Sequence, residues 1–496
     1  MKGMHDRSRI ARAGLWSALD LIVRSIGQLT FSIVMARLLG PDQFGIIAIA
    51  TFFATLCCAF TQGGITTALI QNPRTDRADE SALYWLNLAL AILLAIALAA
   101  LGGPISLFFR QPVLSMLIPA IALVIIITAL GSVPIAILSR KLDYRAIFFS
   151  GTIATVSSGL LGSALAVWGA GAWSLAAMLL ANACISTVIS WVQANWLPSF
   201  RLAGAKPGPL LRSALWIGGA GALEAFYARG SAPLLGKFFD VRTVGLFDRG
   251  LSMQTLVNSV LSGLVGRISL PVLSGIEDAR DMKKATASAL SLMTLFAFPA
   301  MTGLIITAPQ VIEVAFGQEW MGAAPVLQIT ALAGLLYPFS MVNLQVLLAR
   351  GESRRYFQIE FQKKTIGICL IIAFSFFGLT ALAWSMVLSA TVAVFLNSQY
   401  SKDTIDYPIY KQFWDQRQLA IPTLAMAGAI FVISEWSTLP VYLTLMIEAV
   451  IAAVIYFGIG RLMNARHFNL LIDSGFALFR QRIGTVTTDR PDESRA

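Results

Sequence analysis

Long apolar runs separated by short polar breaks recur along the whole chain, each close to the roughly 20 residues that cross a bilayer. Windows of about 19 residues predict helices near 13–38, 45–71, 83–108, 113–138, 146–168 and 171–197. Further helices are expected near 212–238, 245–273, 286–308, 323–348, 363–380 and 381–400, with two more near 418–436 and 440–460. The pattern predicts an all-α, polytopic membrane protein of roughly 14 transmembrane helices. Two runs are interrupted: 45–71 contains Gln62-Gly63-Gly64, and the amphipathic 245–273 carries Arg267. Each is expected to bend or to line a polar interior. Residues 466–483 pattern as an interfacial amphipathic helix, and the tail TVTTDRPDESRA as disordered.

Composition agrees, with 57% hydrophobic and 13% charged residues, well below the quarter or so that soluble domains charge. Most of the 37 Lys and Arg gather in alternate loops, and the positive-inside rule then sets both termini in the cytoplasm. The formal charge of +11 follows from that topology and from anionic membrane lipid, and requires no nucleic acid. Residues 1–12 lack a small-residue cleavage site and precede a full-length span, so no cleaved signal peptide is expected. Cys57, Cys58, Cys184 and Cys369 fall in predicted spans and suggest neither disulfide nor metal site. The sequence holds no G-x-x-x-x-G-K-[ST] to cradle ATP. His5 and His467 are its only histidines, so no His relay or catalytic triad can form within the spans, and no cofactor is expected.

The stretch ARLLGPDQFG at 36–45 returns 200 positions later as GKFFDVRTVG. Arg37 faces Lys237, Leu38 and Leu39 face Phe238 and Phe239, and Gly45 faces Gly245. A second block, offset by 210, pairs Leu138 with Leu348, Arg140 with Arg350 and Arg145 with Arg355. A six-helix unit repeated in one orientation implies two pseudo-symmetric lobes about an axis along the membrane normal, with a substrate path between them. The expected divisions are an N-lobe at 1–200, a C-lobe at 201–400, and two extra helices with a cytoplasmic tail at 401–496.

The run Ala36-Arg37-Leu38-Leu39-Gly40-Pro41-Asp42-Gln43-Phe44-Gly45, followed by a span ending Gln62-Gly63-Gly64-Ile65-Thr66-Thr67-Ala68-Leu69-Ile70-Gln71, resembles the polysaccharide-transporter (Wzx-type oligosaccharide flippase) family. That family belongs to the multidrug/oligosaccharidyl-lipid/polysaccharide (MOP) exporter superfamily. The likeness extends over the chain through span order and the RKLDYR loop at 140–145. It implies a multi-pass protein of the bacterial inner membrane that moves undecaprenyl-diphosphate-linked oligosaccharide to the periplasmic leaflet for export of surface or exo-polysaccharide. Membrane lipids and polymerase or export proteins are the partners it implies. By analogy with related lipid II flippases, 418–460 would hold the polyprenyl tail.

Diphosphate and sugar cross a bilayer only if the path replaces their water, which calls for cations, hydroxyls and amides. A guanidinium meets a phosphate bidentately, and a charge at mid-span costs about 2.5–3.5 kcal/mol on insertion scales. Asp20, Arg24 and Gln28 stand at steps of four on one face of the first span; the repeat partner carries Glu224, Tyr227 and Arg229. At the 200 offset Arg24 and Glu224 coincide. In one reading Asp20 neutralises Arg24 and Glu224 pairs with Arg229. In the other, Arg24 and Arg229, helped by Gln28 and Tyr227, grip substrate while Asp20 or Glu224 acts as a coupling carboxylate for a proton or sodium ion. Arg37 and Lys237 either snorkel to headgroups or line the periplasmic mouth. Arg267 and Glu448 are weaker candidates. Two other classes stay open: a membrane polysaccharide polymerase or glycosyltransferase, against which the short outer loops argue, and a multidrug antiporter of the same superfamily, which would favour an acidic cavity.

Overall fold

The computed structural model describes residues 2–64, 66, 67, 69, 76–200, 208–276 and 278–463; the predicted interfacial helix at 466–483 and the tail lie outside them. Among the described residues every regular element is helical. The chain opens with α1 (Lys2–Cys58), interrupted at Gly40, whose φ of 69° and ψ of 173° leave the helical region. Pro41 then restarts the helix with a φ suited to a first turn. The break falls between the predicted spans 13–38 and 45–71, although the two run as one element. A π-helical turn at Ala59–Gly64 follows, on the Gln62-Gly63-Gly64 interruption. Glycines of the later helix at 208–229 admit it: a Cβ on Gly218 would lie 3.0 Å from the Phe60 Cα.

The remaining helices are α2 (Arg77–Ala100), α3 (Gly102–Phe109), α4 (Leu114–Arg140), α5 (Tyr144–Val167), α6 (Ala172–Ala194), α7 (Gly208–Arg229), α8 (Ser231–Phe238), α9 (Val241–Ser274), α10 (Ala279–Phe316), α11 (Ala324–Ala349), α12 (Ser353–Phe374), α13 (Leu379–Ile405), α14 (Ile409–Asp415), α15 (Ala420–Trp436) and α16 (Val441–Leu462). Among the described residues, 10 helical stretches are long and apolar enough to cross a membrane. The first, Gly14–Gln62, contains the Gly40 break. Helices α7, α9 and α12 stand outside the ten; α9 carries Arg242, Asp248 and Arg249, and α12 carries Arg354, Arg355, Glu360, Lys363 and Lys364. The chain is a multi-pass helical membrane protein, and these charged helices are where function is to be sought.

The chain packs as two units. The first comprises residues 1–256, 315–326 and 364–386. Its central helix is α4, whose Leu114, Leu117, Ile118, Ile121, Ile125 and Val133 recur at steps of three and four and are buried. Helix α5 contributes small residues instead. Phe31 of α1 fills the space at Gly159, where a Cβ would lie 2.3 Å from the ring, and Met178 of α6 comes within 2.9 Å of the Cβ position at Gly162. Lipid tails are as apolar as side chains, so such close approach is what holds helices together in a membrane. Trp85 donates to the Ser199 carbonyl at 3.2 Å and Trp191 to that of Leu130 at 2.8 Å, while Arg140 neutralises the buried Glu80.

The second unit comprises residues 257–314, 327–363 and 387–496. Leu290, Met293, Phe339, Val346, Val394 and Tyr407 belong to its core. Several buried polar groups there are matched in pairs, as a low-dielectric interior favours. Asn343 and Gln412 exchange amide hydrogen bonds of 2.8 and 2.9 Å, Thr294 donates to Gln416 at 2.8 Å, and the Tyr407 hydroxyl donates to Asp415 at 2.7 Å. These contacts fix the short α14 ahead of the α15–α16 pair.

Asp406, in the left-handed region with φ of 47°, accepts from Lys283 at 3.2 Å and Lys411 at 3.3 Å. The hydrogen bond from Lys283, with that from Lys411 and both charges, holds its carboxyl below the usual range. A depressed carboxylate stabilises the fold above its unfolded pKa and loses that contribution as pH falls through the folded value. Asn also tolerates the left-handed conformation, so Asp406→Asn should lower the neutral-pH melt slightly and leave the acid melt nearly unchanged, which flattens the acid limb of a thermal-melting profile. An unchanged acid limb would remove this pair from the account.

Candidate functional site

A cavity of about 420 Å³ lies within the first unit, walled by α1, the π-turn, α4, α6, the end of α7 and the start of α9. Gln28, Ser32, Thr51, Thr55 and Gln62 give it polar faces; Phe31, Met35 and Phe44 give it apolar ones; Arg229, Asp248 and Arg249 charge it. The last two reach it through a helix cap. Asp240 accepts the Thr243 amide at 2.7 Å, which is what a side-chain oxygen does at a helix N-cap, and hydrogen bonds from Thr243 hold that carboxyl below its ordinary range. Helix α9 therefore starts at Val241, before the expected Gly245, and carries Asp248 and Arg249 two turns inward.

Arg249 is the most constrained cation of the cavity. Its Nη2 lies 2.6 Å and its Nε 3.2 Å from Asp248 Oδ2, its Nη1 donates to the Ser32 hydroxyl, and its guanidinium carbon stands 4.7 Å from the Phe44 ring centroid. The charge of Arg229 also acts on Asp248. Of the five N–H donors of a guanidinium, two have no partner among the described residues. The arrangement holds one positive charge, partly neutralised, beside hydroxyls and an aromatic face, which is a set suited to phosphate and sugar oxygens.

The predicted residues divide between the cavity and pairs of their own. Gln28 and Arg229 line the cavity. Arg24 instead bonds Asp20 at 2.6 Å and the Ile147 carbonyl at 2.9 Å. Its guanidinium occupies a notch in α5 that exists because residue 151 is glycine: a Cβ there would lie 1.9 Å from the guanidinium carbon. Glu224 pairs with Lys364 at 2.6 Å and not with Arg229 as the first sequence reading expected. Tyr227 is half-buried on the same helix. Arg37 donates to the Ala315 carbonyl at 3.0 Å, and Lys237 to that of Phe108 at 3.3 Å, 3.8 Å above the Phe108 ring. The side chain of Arg267 lies outside the described residues. Sequence reasoning missed Asp248, Arg249, Ser32 and Lys364; the cap at Asp240 was the readable signal for the first two. Among the described residues no group of three His, Cys, Asp or Glu side chains is placed to hold a metal ion.

The two decapeptides meet in the first unit. A Cβ on Gly45 would lie 1.7 Å from the Val241 carbonyl oxygen, and a Cβ on Gly245 would lie 2.0 Å from that of Pro41. Asp42 and Arg242 stand 3.6 Å apart across the same corner. Each of these contacts joins positions that correspond at the 200 offset or exchange under it, as in an isologous interface.

A family described as "Polysaccharide biosynthesis protein" matches residues 34–325. The chain is 24% identical over 446 residues to the lipopolysaccharide biosynthesis protein WzxC of Escherichia coli (strain K12), covering 87% of this chain and 89% of that one. It is 23% identical over 309 residues to the succinoglycan biosynthesis transport protein ExoT of Rhizobium meliloti (strain 1021), covering 62% and 63%. Its fold is similar to that of the lipid II flippase MurJ in an inward closed conformation, with a TM-score of 0.77, 14% identity, and coverage of 91% of this chain and 99% of that one.

Proposed function

The chain belongs to the polysaccharide biosynthesis protein family, and from that premise we propose that it flips oligosaccharide repeat units linked to undecaprenyl diphosphate across the bacterial inner membrane, for export of surface or exo-polysaccharide. The names of its relatives, which include a transport protein, support this reading, as does a fold shared with a lipid II flippase. The observation that carries it is Arg249, which keeps donors available inside a mixed polar and aromatic cavity. Both termini are cytoplasmic in this reading, and the protein is a transporter rather than an enzyme.

The reciprocal contacts at Gly45 and Gly245 support lobes at 1–200 and 201–400 related by an approximate two-fold axis, with 401–496 appended. Alternating access follows if that corner parts on one side of the membrane while the other closes. In this cycle the diphosphate engages Arg249 and Arg229 first. Arg24 then exchanges Asp20 for a phosphate oxygen, and Glu224 exchanges Lys364, so the two carboxylates become the groups through which a proton or sodium gradient acts. Gln28 and Tyr227 contact sugar; Arg37 and Lys237 flank the periplasmic mouth.

Deleting the gene tests the function. Lipid-linked oligosaccharide should accumulate on the cytoplasmic face while surface polysaccharide disappears. Changed polymer length with flipping intact would instead favour a polymerase or glycosyltransferase, and altered drug sensitivity alone a multidrug antiporter. Arg24→Ala should abolish export at normal protein level, and Arg24→Lys should retain part of it; full export by Arg24→Ala would remove Arg24 from the path.

A further inference from the structure

Helix α16 buries one stripe, Thr444, Glu448, Tyr456 and Gly460, at steps of four and eight. Thr444 is bonded to Ser437 at 2.9 Å at one end of the stripe, and the Tyr456 hydroxyl donates to the Leu295 carbonyl of α10 at 3.0 Å at the other. Glu448 between them is 1% exposed, and both its carboxylate oxygens are buried with no hydrogen-bond partner among the described residues. A buried carboxylate with nothing to compensate it costs far more than a buried amide or hydroxyl, so the missing partner has to be supplied.

The helical rise of about 1.5 Å per residue identifies what faces it. Eight residues from Tyr456–Leu295 put Glu448 level with Gly303 of α10, one turn before Thr307, and four from Thr444–Ser437 put it level with Ile433 of α15, beside the Ser434 hydroxyl to which Gln310 donates. There the Gln310 carbonyl oxygen is likewise buried without a partner, and the Thr307 hydroxyl, 7% exposed, spends its proton on the Gly303 carbonyl at 2.9 Å. Acceptors therefore outnumber donors at one level of the second unit. Residues 298–316, 420–436 and 441–460 contain no Lys, Arg or His. The other titratable groups on them are Glu313 toward the end of α10, the exposed Glu435, Tyr442 at the start of α16, and Tyr456, already bonded. An all-oxygen set short of positive charge is what a hard cation or a proton completes.

We propose that Glu448, with Gln310 and the hydroxyls of Thr307 and Ser434, forms a binding site for a monovalent cation, a proton or an alkali-metal ion. The site lies between α10 and the appended helix pair and does not depend on what the protein carries. The full-length protein in proteoliposomes is treated with dicyclohexylcarbodiimide, which attacks protonated carboxyls in apolar surroundings, and labelling is located by peptide mass. Glu448 should be labelled in choline buffer and the Glu448→Gln protein should not be labelled at that peptide. If sodium is the ligand, sodium at about ten times its dissociation constant slows labelling roughly tenfold and raises the melting temperature in wild type but not in Glu448→Gln. If a proton is the ligand, pH alone sets the rate and the pH dependence of the Glu448→Gln melt is weaker than that of wild type. Gln310→Leu, which keeps the carboxylate, should weaken either response and serves if Glu448→Gln does not fold. Absence of labelling together with identical salt and pH dependence of melting in wild type and variants overturns the site.

Discussion

Replacing Gly45 by Val should reduce translocation by at least about tenfold without preventing insertion, and Gly245→Val should do the same. The cause is backbone against backbone. A Cβ at either position would fall 1.7 or 2.0 Å from a carbonyl oxygen of the opposite decapeptide, and neither oxygen can rotate away as the tip of a side chain can. Overpacking of this kind costs about 1–3 kcal/mol, and about 1.4 kcal/mol already shifts a two-state population tenfold. The Asp42–Arg242 pair across the same corner is roughly half exposed on both sides and 3.6 Å long, so Asp42→Asn should change little. The glycines, not the ion pair, set the closed corner. A cysteine pair at 42 and 242 checks this directly: it should cross-link in an otherwise wild-type background and fail to do so with Gly45→Val. Full translocation with the cross-link intact would mean that the corner does not move in the cycle.

That the two decapeptides echo each other was legible in the sequence, since cation, aromatic or leucine pair and glycine recur at one offset; that they touch was not. Helix order was legible for the same reason that hydropathy works in lipid, where backbone groups must bond within their own segment. What stayed hidden depends on contacts distant in sequence. The partner of Glu224 is Lys364, 140 positions on, at the start of the helix predicted from 363, whereas α12 begins ten residues earlier, at Ser353. The notch that seats Arg24 is a glycine in α5, and nothing in the first span announces it. Asp248 and Arg249 fell in the first turn of the helix predicted from 245; the actual start at Val241 sets them two turns in, on the cavity wall.

Arg249→Ala should abolish translocation, and the reason can be separated from loss of folding. Removing one member of a buried ion pair leaves the other uncompensated at a cost of about 3–5 kcal/mol, so the single variant should also lower the melting temperature and the amount of protein in the membrane. Two features soften that penalty here: Asp248 keeps 27% of its side chain exposed, and the charge of Arg229 still acts on it. Neutralising the leftover charge in the double variant Asp248→Asn/Arg249→Ala should therefore recover protein level and melting temperature. Translocation should stay lost, because the diphosphate then lacks the guanidinium at 249 that engages it together with Arg229. Arg249→Lys keeps the charge but presents a single ammonium in place of the planar fork; with Ser32 and Asp248 still drawing on it, it should support only a small fraction of wild-type flux. Ser32→Ala removes one acceptor of the guanidinium and should raise the donors available to substrate while loosening their aim, so its flux should fall by less than that of Arg249→Lys. If the double variant regains translocation along with its stability, Arg249 serves only to neutralise Asp248, and the diphosphate must be held by Arg24 and Arg229 alone.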